Sequence, residues 1–136
     1  MGSAEVIVLD THAWLWWISN PEKLSTTARK AINHAMADEL VHISSISAWE
    51  TAMLVKKGRL QLTMDAEDWI ARTEALPFVK FVPVNNSIAV RSTQLPGPLH
   101  DDPADRIIVA TTLSLGGVLV TKDDRIREYP QVKTLW

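Results

Sequence analysis

Four carboxylates fall at places where an acid is costly without a partner: Asp10 closing EVIVLD, Glu50 in SAWE, Asp105 in DPADR and Asp123 in VLVTKD. Each ends an apolar run or interrupts an apolar helical stripe, and a charge in that setting needs compensation. A divalent cation is the simplest compensation for four convergent acids, and oxygen donors match Mg²⁺ or Mn²⁺. The chemistry that follows is hydrolysis of a phosphodiester by metal-activated water, with no nucleophilic Ser or Cys. Two such charges about 5 Å apart repel by roughly 3 kcal/mol at an effective dielectric of about 20, so metal should stabilise the fold.

Each acid also has a plain structural reading. Glu50 could close a capping box with Ser47, but it shares a helical face with Ile46, Met53 and Leu54 and therefore points inward. Asp105 could complement a helix dipole, yet it shares a face with Val109 and Thr112 in a helix apolar nearly all round. Asp102 reads as a cap, with Pro103 next and Arg106 four residues on as an ion-pair partner. Of Asp123 and Asp124, one is expected to cap a short helix through Arg127 while the other faces the metal. Thr11 adds a hydroxyl beside Asp10. His12 and His100 read as hydrogen-bonded structural residues outside the core site. Trp14, Trp16 and Trp17 read as a subunit interface in preference to core or base stacking. The cluster of Lys56, Lys57 and Arg59 is the candidate for holding substrate phosphates.

The elements that must position these acids alternate between strand and helix. Residues 6–9 form a buried strand ending at Asp10. Residues 25–37 form a Ser-capped helix, and a strand at 41–43 leads into a helix over 44–57 stopped by Gly58. A helix at about 65–76 is closed by Pro77, 79–84 is extended, and Asn85 opens a helix through 95. Residues 95–99 are a loop. Asp102 and Pro103 then start a largely buried helix that Gly116 and Gly117 end. Residues 118–120 are another buried strand and 132–136 a last edge strand. This order predicts βαβ units, a mostly parallel sheet covered on both faces, and a site beyond the carboxyl ends of its strands.

At 136 residues the chain predicts one domain over 1–136, with residues 1–3 read as a cloning remnant. Hydrophobic residues at 46% and charged residues at 22% favour neither disorder nor a membrane span. The apolar run at 13–18 has no basic leader, so neither a signal peptide nor a spanning helix is expected and the location expected is cytoplasmic. Absence of Cys excludes disulfides and thiolate zinc sites. The net charge of −2, from 14 Lys+Arg against 16 Asp+Glu, permits a nucleic-acid partner without indicating one.

Taken together the segments resemble the PIN-domain family, most closely the VapC-type toxins of bacterial toxin–antitoxin pairs. VLDTHAWLWW resembles the family's first acidic segment, ISSISAWETAMLVKKGRL its second, HDDPADRIIVATTL its third and VLVTKDD its fourth. The resemblance implies an α/β/α sandwich of three layers, with Asp10, Glu50, Asp105 and Asp123 as the acidic quartet and Thr11 and Thr121 as supporting hydroxyls. Asp102, Asp124 and Arg106 would assist from alongside. It further implies a metal-dependent endoribonuclease that leaves a 5′-phosphate and a 3′-hydroxyl, a homodimer, an antitoxin that blocks the site, and DNA reached only through that antitoxin. One alternative is a non-catalytic partner that strengthens an antitoxin's operator binding. Another, a dehalogenase-like phosphatase, needs a second Asp two residues after Asp10, where this chain has His12.

Overall fold

Alternation within the strands decides which side of the sheet each residue serves. The structure, a computed structural model, describes residues 5–136, so the expected cloning remnant at 1–3 lies outside the described residues. Five strands, β1 (Ile7–Leu9), β2 (Val41–Ser44), β3 (Val79–Val82), β4 (Val118–Val120) and β5 (Thr134–Leu135), run in the order β3-β2-β1-β4-β5. Every neighbouring pair is parallel. Ile7, Leu9, Val41, Ile43 and Val120 face one core, whereas Val8 and Leu119 face the other. Strands buried on both faces have to be apolar throughout, which is why β1 and β4 carry no polar residue.

Among the described residues, seven α-helices cover the two faces: α1 (Thr11–Ser19), α2 (Thr26–Ala37), α3 (Ser45–Lys56), α4 (Ala66–Glu74), α5 (Asn86–Thr93), α6 (Pro103–Leu115) and α7 (Asp124–Arg127). The first core takes Trp14 from α1, Ile32 from α2 and Trp69 from α4. The second takes Ile88 from α5, Ile108 and Val109 from α6, and Ile126 from α7. The result is the three-layer α/β/α sandwich expected from the sequence. No helix among the described residues is long and apolar enough to cross a membrane.

The helix starts follow the chain's own signals. Ser25 accepts from Ala28 N at 2.9 Å, Asn85 from Ile88 N at 2.9 Å and Asp102 from Asp105 N at 2.9 Å, each satisfying an orphan amide of the first turn. Two glycines end α6 for different reasons. Gly116 adopts φ +63° as the left-handed cap, while a Cβ on Gly117 would come within 2.7 Å of the Val6 carbonyl oxygen.

Two expectations need correction. Residues 11–19 form α1, with Asp10 as its N-cap, where the sequence reading had placed only an aromatic run. Trp14 is no interface residue: it is fully buried, donates from Nε1 to Thr73 Oγ1 at 3.2 Å, and packs on Trp69 and Phe81. Trp16 and Trp17 lie half-buried against the same core. In α3 the capping side chain is Ser44, which accepts from Ile46 N at 3.2 Å, so no Ser47–Glu50 capping box forms and Glu50 is free for another role.

Candidate active site

From β1 the sheet grows in both directions, through β2 and β3 to one side and through β4 and β5 to the other. The crevice beyond the carboxyl ends of β1 and β4 is the point where open parallel sheets place their sites. Asp10 stands at that point. Its amide donates to Val120 O at 3.2 Å and its carboxylate accepts from Ala13 N at 2.8 Å, so β4 and α1 fix it where β1 ends. Asp123 follows β4 on the adjacent side, Asp105 comes from the first turn of α6, and Glu50 from the middle of α3. All four line one cleft of about 540 Å³, together with Asp102 and Thr11.

Hydroxyl groups hold the acids in place. Thr11 Oγ1 donates to Glu50 Oε1 at 2.5 Å and shares a hydrogen bond with Ser47 Oγ at 2.9 Å. Thr121 Oγ1 accepts from Asp123 N at 3.1 Å. Asp123 itself caps α7 through Arg125 N, at 2.9 Å, while also lining the cleft. The expected division of labour between Asp123 and Asp124 is therefore not seen: Asp123 both caps α7 and lines the cleft, and Asp124 is exposed, with its carboxylate 3.9 Å from Arg127.

Other candidates fall elsewhere. Arg106 does not pair with Asp102; it donates to the carbonyls of Ser92 at 2.9 Å, Leu99 at 3.0 Å and His100 at 3.4 Å. Lys56 and Lys57 line neither this cleft nor a larger apolar groove of about 850 Å³ beside it, and Arg59 lines only the groove. The cations at the acidic cleft are Lys122 and Arg125, which the sequence reading passed over. His12 and Trp16 line both depressions. His100, read as structural, brings Nε2 to 2.7 Å from Asp105 Oδ2. His100, Asp105 and Asp123 each offer one ligand atom within 4.8 Å of the others. A histidine five residues before an acid at a helix start was the available signal.

Burial sets the electrostatics. It pushes the Asp10 carboxyl up to about 6, opposed by the Thr121 hydroxyl and the Ala13 amide and reinforced by the Asp105 charge. Burial likewise raises Glu50 against the Thr11 hydrogen bond, with Asp105 and Asp102 adding repulsion. Asp105 is raised by burial against the His100 hydrogen bond, and Asp102 and Asp123 push it further. Asp123 goes the other way: burial raises it, but hydrogen bonds and charge from Arg125 outweigh that and leave it low. Three of the four acids thus resist ionising side by side, and a hard divalent cation among these oxygen donors would relieve them. The residues fit such an ion.

The profile of the PIN domain matches residues 7–132, from the first residue of β1 nearly to the end of the chain. The chain belongs to the PIN-domain family. This PIN domain is 38% identical over 132 residues to Ribonuclease VapC22 of Mycobacterium tuberculosis, covering 96% of this chain and 98% of that protein. Among solved structures it is similar to VapBC2 from Rickettsia felis bound to a DNA fragment from their promoter (TM-score 0.70, 13% identity, 94% of this chain and 96% of that one). It also resembles DNA-bound VapBC from Salmonella typhimurium (TM-score 0.63, 20% identity, 94% and 95%) and a toxin–antitoxin complex from Klebsiella pneumoniae (TM-score 0.60, 20% identity, 91% and 92%). At these identities the solved structures establish the PIN fold.

Proposed function

We propose that this PIN domain is a divalent-metal-dependent endoribonuclease and the toxin of a toxin–antitoxin pair. The observation that carries the reading is the arrival of Asp10, Glu50, Asp105 and Asp123 from four separate elements in one cleft at the carboxyl edge of the sheet. A relative of nearly the same length that bears the name ribonuclease supports the choice of RNA.

Asp10, Glu50 and Asp105 would hold Mg²⁺ or Mn²⁺, and Asp123 would complete the set. When bound, such an ion supplies Lewis acidity, activating water at neutral pH and offsetting charge on the phosphate. The chain's own residues fix the donors: Ala13 N and Thr121 orient Asp10, and Thr11 orients Glu50. Lys122 and Arg125 on the same cleft wall offer positive charge to the RNA backbone, and the Trp16 ring, with Lys122 Nζ 5.8 Å from its centroid, offers a flat surface for a base.

The structural neighbours are complexes, two of them with DNA, which supports an antitoxin as partner and operator DNA reached through it. A homodimer in the cytoplasm belongs to the same reading. The test is to incubate the purified chain with total cellular RNA and Mn²⁺, using chelator and Asp105→Asn as controls, and to map new 5′ ends by sequencing. Discrete ends that vanish in both controls are expected. Ends that persist in the variant overturn the assigned site, and an absence of ends from the chain freed of antitoxin favours the non-catalytic partner.

A further inference from the structure

Among the residues that the proposed reaction leaves unused, His100 has the most constrained surroundings. Its Nε2 lies 2.7 Å from Asp105 Oδ2, and its Nδ1 is buried with no hydrogen-bonding partner among the described residues. Together these place the ring proton. A buried N–H without an acceptor is rarer and costlier than a bare acceptor nitrogen, so the proton sits on Nε2 and the ring donates to Asp105. A histidine ligating a cation through Nε2 would carry its proton on Nδ1, and metal-binding histidines nearly always donate that second N–H to a partner. Among the described residues nothing receives it here.

We infer that His100 is a positioning residue, which donates one hydrogen bond to Asp105 Oδ2 and so holds that carboxylate at the acidic cleft, without joining the ligands of the cation that would bind there. The inference rests on the metal-dependent reading above.

The imidazole is in turn held from two helices. His100 lies in the loop between α5 and α6, and the Arg106 guanidinium ties the carbonyls of Leu99 and His100 to that of Ser92 in α5. The buried Leu99 side chain anchors the same loop in the second core. Asp105 is thereby fixed twice, at its amide by Asp102 and at its carboxylate by His100. A ligating carboxylate locked in this way has less rotational freedom to lose on binding, and outer partners of this kind change metal affinity by about 10–100-fold.

The test measures Mn²⁺ affinity by titration calorimetry for wild type, His100→Gln and His100→Ala, with pulsed EPR of the wild-type Mn²⁺ complex to detect a coordinated nitrogen. The Gln side chain carries an N–H donor at a reach comparable to Nε2, whereas Ala carries none. The expected result is an Ala variant weakened about 10–100-fold, a Gln variant close to wild type, and no directly coordinated imidazole nitrogen. Ala binding as tightly as wild type, or Gln as weakly as Ala, overturns the positioning role. A coordinated nitrogen overturns it in favour of a direct ligand. Should the Ala variant fail to fold, the Gln variant and the EPR spectrum decide. If wild type and Asp105→Asn bind Mn²⁺ alike, the acidic-cleft reading itself fails; if only the His100 variants depart from expectation, that reading stands and this inference falls.

Discussion

Asp10 shows how one side chain serves fold and site with opposing energetics. It caps α1 through Ala13 N and ends β1, yet burial holds its carboxyl at about 6 against about 3.9 in an unfolded chain. Between those values the folded state binds the proton that the unfolded state has released, so unfolding free energy falls as pH rises through the window. Above it the folded chain remains weaker by about 3 kcal/mol. Asp10→Asn removes that charge while its side-chain oxygen still caps the helix. Without metal at pH 7.5 the variant should therefore melt several degrees above wild type, lose the decline between about pH 4 and 6, and cut no RNA. Melting curves by circular dichroism from pH 4 to 8 check this, and a variant less stable than wild type at pH 7.5 would locate the strain elsewhere. Added Mn²⁺ should raise the wild-type midpoint and leave that of Asp10→Asn nearly unmoved.

The elements were legible wherever cap and periodicity agreed. Ser25, Asn85 and Asp102 each announced a helix that forms, and the doubled Gly116-Gly117 announced the end of α6. The sequence pattern failed at α1, because apolar side chains stand on nearly every face of residues 13–18 and leave no stripe to read. Asp10 was a cap signal three residues before Ala13, but a strand end explained it equally well. Two substitutions test this level. Asp102→Ala should lower stability by about 1 kcal/mol and Asp102→Asn by much less, since Asn still accepts from Asp105 N. Gly117→Ala should cost about 1–3 kcal/mol, because its Cβ would press on the Val6 carbonyl that accepts from Val118 N at 2.9 Å. Urea midpoints that shift with unchanged slope would show both effects.

For the molecule as a whole, alternation of strand and helix foretold the parallel sheet and the edge on which the acids gather. Missing from that reading were Lys122, Arg125 and the tie of His100 to Asp105, which depend on how loops close over the edge, and loop closure leaves no periodic trace. The charge at the cleft is correspondingly sparse: with Lys122 and Arg125 as its long cationic side chains, RNA binding should weaken with salt at a log–log slope of only about −1 to −2. Lys122→Ala should flatten that slope by about 0.7, measurable by fluorescence anisotropy at graded salt. The strand order also sets a schedule. β1 pairs with β2 early in the chain but with β4 only near its end, and Asp105 and Asp123 flank β4. At roughly 5–20 residues per second, on the order of ten seconds of synthesis separate the first acid from the last. A nascent chain from which β4 has not yet emerged therefore lacks the cleft, so the activity proposed here has to wait for that strand.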